Sequence, residues 1–349
     1  MPAPVHFAIP GELSTLTGGY GYDRRMLVEL QARGLDCRVL SLPSGFPDPD
    51  AAALKRSDEI LAGLPDDSVL IIDGLALGTL DECAEKHAQR LRLVALCHHP
   101  LAMEAGLSAA RADALRRSER RALQVCRAVI VTSTATKALL VEDYAVAADS
   151  ITVAVPGTDP QTFAPCNGNP PLLLSMATLT PRKGHDVLIR ALAQLRHLPW
   201  SARFVGGDSF APTWATQLRE MVQTLELQER IHFAGATTAL DAEYQQADLF
   251  VLASRYEGYG MVFAEAIACG LPVIGTKVGA AAELIPVDAG ILVPPDDVAA
   301  LTTALAQVLG NSQYRRHLQQ GARAAASSLP QWGQSANKIA ETLLQVRTA

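Results

Sequence analysis

Along the chain, short apolar runs rich in β-branched residues alternate with longer stretches whose apolar positions recur at helical spacing. In the first half the runs are VHFAI (5–9), CRVLSL (37–42), VLIIDG (69–74), LRLVALCH (91–98), AVIVTS (128–133) and ITVAVPG (151–157). Helices are expected over 22–33, stopped by Gly34, and over 108–126. A segment rich in Pro, Gly and Asn, PGTDPQTFAPCNGNPP (156–171), breaks this rhythm and reads as a linker. The pattern then restarts, with strands at 172–178, 202–207, 230–235, 248–254, 271–276 and 290–295. Helices fall between and after them at 185–195, 214–225, 298–309 and 314–327, and a last one over 331–346 follows Pro330. Strand–helix alternation of this kind predicts parallel sheets covered on both faces. The expected class is therefore α/β, in two similar domains, 1–165 and 166–329. A terminal helix (330–349) is placed to cross back onto the first. Two such halves facing a central cleft suit a two-part substrate, bound beyond the carboxyl ends of the strands.

Composition narrows the function. The 349 residues are 49% apolar and 19% charged, which fits two folded domains and excludes a disordered chain. A net charge of −6 disfavours sequence-independent nucleic-acid binding. The arginines of RADALRRSERRAL (111–123) read instead as a solvated helix face. The six cysteines form no C-x-x-C pair and no cluster with histidine, as expected of buried thiols in a reducing compartment. MPAPVHFAIPGEL lacks the basic start and apolar core of a secretory signal, and no run reaches the length of a membrane span. A cytoplasmic protein is expected, with peripheral contact at the inner membrane face left open.

The stretch EGYGMVFAEAIACGLPVIG (257–275) carries the most specific chemistry. It leaves a buried strand, turns through Gly258 and Gly260, and starts a helix near Met261 that Gly270 stops. The first-turn amides of such a helix lack internal acceptors, and its dipole favours an anion there. Glycines let a ligand approach the backbone, so the amides of Gly258, Tyr259, Gly260 and Met261 make a cradle suited to a diphosphate. Glu257 and Glu265 would repel a phosphate, but a carboxylate can accept from two adjacent hydroxyls, as on a sugar or ribose. Lys183, between a strand and a helix, is suited to neutralising charge on a departing diphosphate. His98 and His99 end an apolar run, and Gly18 and Gly19 read as a loop touching phosphate or acceptor. A nicotinamide site is set aside because the third glycine position after Gly19 holds Arg24. Asp48-Pro-Asp50 lies in a proline-rich loop and is taken as chance rather than a metal site.

These motifs, with LCHHP (96–100), VAVPGTDPQTFAP (153–165), SMATLTPRKGHDVLIRAL (175–192) and VGAAAELI (278–285), resemble the retaining glycosyltransferases of family 4. The stretch 257–265 is similar to that family's E-x7-E signature, and the matches are spread over most of the chain. The resemblance implies the GT-B fold, two Rossmann-like parallel-sheet domains facing a cleft. It implies transfer of a sugar from a nucleoside diphosphate sugar to an acceptor hydroxyl, with the α-configuration kept and with no metal or other cofactor. The acceptor class, whether a glycan, a lipid-linked glycan or a small molecule, stays open. Carried over, the roles put Glu257 and His98 near the transferred sugar, Glu265 near the ribose and Lys183 at the diphosphate. Glu104, after the histidine pair, is a candidate acceptor-side group. The family usually has an arginine five residues before the lysine; here that position is Thr178, and Arg182 is the candidate replacement. Two other readings remain: a GT-B partner subunit without turnover, which Thr178 favours, and another GT-B chemistry such as sugar-nucleotide epimerisation.

Overall fold

The computed structural model describes residues 3–348. The chain divides into two compact units: one runs to Gly157 and resumes at Pro330, and the other spans Thr158–Leu329.

The first unit holds strands β1 (Val5–Pro10), β2 (Cys37–Leu42), β3 (Val69–Asp73), β4 (Arg92–Cys97), β5 (Ala128–Val131) and β6 (Ile151–Val153). They pair in the order β2-β1-β3-β4-β5-β6, every pair parallel. β1, β3 and β5 are buried along their whole length, which is why they read as continuous apolar runs. The helices are α1 (Gly18–Ala32), α2 (Ala51–Ala62), α3 (Gly74–Leu77), α4 (Asp81–His87), α5 (Ala109–Gln124) and α6 (Thr134–Tyr144). Side chains of Asp50, Ser108 and Ser133 cap α2, α5 and α6 by accepting a first-turn amide. One expectation is corrected here. Gly18 and Gly19 are not a loop; they open α1, whose N-cap, Thr17, is extended. A first turn donates no intrahelical bonds, so glycine costs less there than in a helix interior.

In the second unit β7 (Leu172–Met176), β8 (Ser201–Val205), β9 (Ile231–Gly235), β10 (Leu249–Leu252), β11 (Val273–Thr276) and β12 (Gly290–Val293) form a parallel sheet ordered β12-β11-β10-β7-β8-β9. Around it lie α7 (His185–Gln194), α8 (Pro212–Thr224), α9 (Leu240–Gln246), α10 (Met261–Ala268), α11 (Ala281–Leu284), α12 (Val298–Gly310) and α13 (Ser312–Ala326). Neighbouring residues of β8 serve opposite faces: Phe204 joins the core cluster that holds Leu188, Leu192 and Leu305, and Val205 the one that holds Phe250, Phe263 and Ile267. Asp248 ties the incoming linker to this sheet. Its carboxylate accepts from the amides of Gly168 (2.8 Å) and Leu172 (2.7 Å), and it is buried. Asp248→Ala strands both amides, so a loss of about 2 kcal/mol is expected, read as a lower urea midpoint at unchanged slope.

The last helix, α14 (Trp332–Thr348), belongs to the first unit. Lys338 Nζ donates to the Val153 carbonyl at 3.0 Å, and Thr342 shares a 2.8 Å hydrogen bond with Thr152. The Trp332 ring lies 5.9 Å from that of Tyr22, and a Cβ on Gly157 would come within 2.1 Å of the Trp332 amide nitrogen. Glycine at 157 is what lets α14 seat this closely.

Candidate active site

In both sheets the chain reverses its direction of winding beside the first strand of the unit, between β1 and β3 and between β7 and β10. Loops that leave the carboxyl ends of such a strand pair diverge to opposite faces and leave room for a ligand. The candidate residues collect at these two points.

In the second unit Lys183 follows β7 and Glu257 follows β10, so the pairing of those strands brings together residues 74 positions apart. Lys183 Nζ donates to Glu257 Oε1 at 2.6 Å, and Ser254 Oγ donates to the same oxygen at 2.6 Å. Arg182 Nη1 lies 4.0 Å from Glu257 Oε2 and donates to the Tyr256 carbonyl at 3.1 Å. Glu257 is only 4% exposed. Burial alone would raise its pKa, but the charges of Lys183 and Arg182, with the hydrogen bonds from Lys183 and Ser254, hold it below the ordinary value. Arg255 braces the other end of the loop, donating twice to Asp186 at 3.0 Å. Sequence reasoning did not find Ser254 or the Arg255–Asp186 fork.

α10 begins one residue after Gly260, whose φ of +90° belongs to glycine, and a Cβ there would lie 2.7 Å from the Phe263 ring. Gly258 and Tyr259 are buried in the turn, and the Tyr259 hydroxyl has no hydrogen-bond partner. Glu265 projects from the second turn of α10 and accepts from the Tyr244 hydroxyl at 2.7 Å. Burial raises its pKa, against the pull of that bond. Tyr244 on α9 also escaped the sequence reading, because no local pattern links it to Glu265.

In the first unit His98 follows β4 and stands between two acids. Its Nε2 is 3.2 Å from Asp23 Oδ1 and 3.3 Å from Asp73 Oδ2. Asp73 ends β3 and caps α3 through the Leu75 amide at 2.8 Å. Asp23 is fully buried on α1, in the stripe Tyr22, Asp23, Met26, Leu27, Leu30. An acid inside that apolar stripe was a legible signal that sequence reasoning passed over. Gly19 lies against the ring, since a Cβ on it would sit 3.3 Å from His98 Cδ2. Burial would lower the His98 pKa, but the charges of Asp23 and Asp73 and the bonds to them raise it. Burial in turn raises the Asp23 pKa to about 7 despite the nearby imidazole. His99 turns away to pair with Glu104 at 2.8 Å. Asp48 is bound by Arg111, and Asp50 caps α2.

Residues 162–325 match the family described as glycosyl transferases group 1, and residues 72–162 match glycosyltransferase family 4, so the two run unbroken from 72 to 325. Among curated proteins, the chain is 33% identical over 218 residues to a GDP-mannose-dependent alpha-(1-6)-phosphatidylinositol monomannoside mannosyltransferase of Mycolicibacterium smegmatis, covering 56% of each chain. It is 26% identical over 308 residues to the MMP alpha-(1->4)-mannosyltransferase of Mycolicibacterium hassiacum, covering 83% of this chain and 73% of that one. With a D-inositol 3-phosphate glycosyltransferase of Xylanimonas cellulosilytica the match covers 54% of the relative, so the chain spans about half the length of several relatives it matches. Among solved structures, a sucrose-phosphate synthase from Thermosynechococcus elongatus superposes with a TM-score of 0.83 at 21% identity, covering 99% of both chains. Anabaena Alr3699/HepE, in complex with UDP and glucose, gives 0.76 at 20% identity, covering 98% of this chain and 99% of that one.

Proposed function

The chain belongs to the family 4 type of glycosyltransferases, with the GT-B fold, and on that premise we propose that it moves a sugar from a nucleoside diphosphate sugar to an acceptor hydroxyl, keeping the α-configuration. The observation that carries the reading is the buried Lys183–Glu257 pair at the switch point of the second sheet, beside the N-terminus of α10. Glu257 takes sugar hydroxyls, Glu265 takes the ribose, and the amides of the Gly258–Met261 turn take the diphosphate. As the bond from the anomeric carbon to the phosphate oxygen breaks, negative charge grows on the diphosphate. Lys183, Arg182 and the α10 dipole stabilise it, and Arg182 serves in place of the arginine missing at Thr178. The acceptor hydroxyl attacks from the face the phosphate leaves, and its proton passes to that phosphate, so no residue forms a covalent link. The reading assigns the leaving-group charge to side chains and amides, without a metal. His98 serves the sugar under transfer.

The donor is tested by thermal shift with UDP, GDP, ADP and their sugars. GDP-mannose comes first, because mannosyl transfer recurs among the relatives' names. A matching nucleotide at 100 times its Kd adds about 2.7 kcal/mol of stability. Glu265→Ala is expected to weaken that nucleotide about 10- to 100-fold, the size of a lost charged hydrogen bond. No shift with any nucleotide would sink the reading, and unchanged affinity in Glu265→Ala would remove the ribose role alone.

A further inference from the structure

We propose that Asp23 and Asp73 are positioning residues that hold His98 as an imidazolium by its Nε2, leaving Nδ1–H as a charged donor for a hydroxyl of the sugar under transfer. The inference rests on the glycosyl-transfer reading for what the donor serves, but the clamp itself stands on geometry. Both carboxylates approach one nitrogen, at 3.2 and 3.3 Å, from different elements: Asp23 from α1 and Asp73 from the end of β3. Ionised carboxylate oxygens only accept, so that nitrogen carries a proton. Above the raised Asp23 pKa of about 7, two negative charges against one ring select the doubly protonated form. Nδ1 has no hydrogen-bond partner among the described residues and is not enclosed as a buried orphan, so it is the edge left for a ligand.

The ring has little freedom to leave this arrangement. Tyr22 meets it edge-on at a centroid distance of 5.3 Å, and Trp332 backs Tyr22. Gly19 is the third member of the same α1 face, with Tyr22 and Asp23 three and four residues on. Tyr20, Tyr22 and Cys97, beside the ring or its two acids, are neutral at working pH. Burial pushes Tyr20 up to about 12 and raises Tyr22 further, and it holds the Cys97 thiol well above its ordinary value. His99 and Glu104 are paired with each other. The two aspartates are therefore the charges that set the state of His98.

The test is a pH titration of the whole chain carrying isotope-labelled histidine, with the His98 signal identified by its loss in His98→Gln. His98 is expected to stay doubly protonated past pH 8.5. In Asp23→Asn and in Asp73→Asn its midpoint is expected to fall by at least one unit. Asparagine keeps the shape at both sites and still caps α3 at position 73. In parallel, the alkaline limb of kcat is expected to move down with that midpoint, while KM for the nucleotide sugar changes less than threefold. A His98 midpoint near the ordinary 6.5 in the unaltered chain would overturn the proposal. So would an unmoved limb in both asparagine variants. If no nucleotide sugar is turned over, the transfer reading has failed, and the titration still decides the clamp.

Discussion

Lys183→Met is expected to lower kcat about 100- to 1,000-fold, the usual cost of removing one preorganised donor from a developing oxyanion. The same change leaves Glu257 buried with only Arg182 and Ser254 beside it. Breaking a buried pair by removing one partner costs about 3–5 kcal/mol when nothing else compensates, so about 2 kcal/mol is expected here. The two effects separate in the double variant Lys183→Met/Glu257→Gln, which regains most of the stability and none of the activity. A pH dependence follows. Glu257 has a lowered pKa in the folded chain. Its contribution to stability is therefore present above the ordinary carboxylate range and is lost as pH falls through the lowered value. Without Lys183, burial pushes that pKa back up, so the acid loss shrinks, and Lys183→Met is expected to recover part of its lost stability between pH 7 and pH 5. Urea midpoints at pH 5 and pH 7 for the three proteins, with initial rates on the donor found by thermal shift, check both halves. Equal stability of the single and double variants would refute the buried-charge argument.

The sheets were readable because parallel strands buried on both faces become unbroken apolar runs. All twelve strands lie within or against the runs read from the pattern. The helix starts were less readable. α1 begins four residues before the expected Tyr22, because glycine in a first turn leaves no helical signature. The turn 257–260 and the helix after it were legible as a unit, since glycine spacing and the apolar stripe are local. Sheet order is not local. Lys183 and Glu257 were each singled out, yet their contact depends on β7 lying beside β10, which no stretch of sequence states. His98 was found at a strand end, while Asp23 and Asp73, which fix it, were not. One had been absorbed into a helix and the other into the last position of a strand.

Gly279→Ala is expected to be the most disruptive single-methyl addition at the donor loop. The loop from Ala253 to Glu257 is gripped by two glycine backbones. A Cβ on Gly184 would lie 1.9 Å from the Ala253 carbonyl oxygen, and one on Gly279 would lie 1.6 Å from the Glu257 carbonyl oxygen. The obstacle in each case is backbone, which cannot swing aside as a side chain can. Both glycines also have positive φ, +64° and +50°. Left-handed backbone costs alanine about 1–2 kcal/mol, and forcing atoms into a packed site adds about 1–3 kcal/mol, so about 2–5 kcal/mol is expected for Gly279→Ala. The relief available is a shift of the Glu257 backbone, which moves the carboxylate away from Lys183 and re-aims the amides leading into α10. Nucleotide-sugar KM is therefore expected to rise tenfold or more along with the drop in Tm. Gly310→Ala is the control: nothing lies within 4 Å of a Cβ there, so neither reading should worsen. Unchanged Tm and KM in Gly279→Ala would show that the loop does not depend on this backbone contact to hold Glu257 in place.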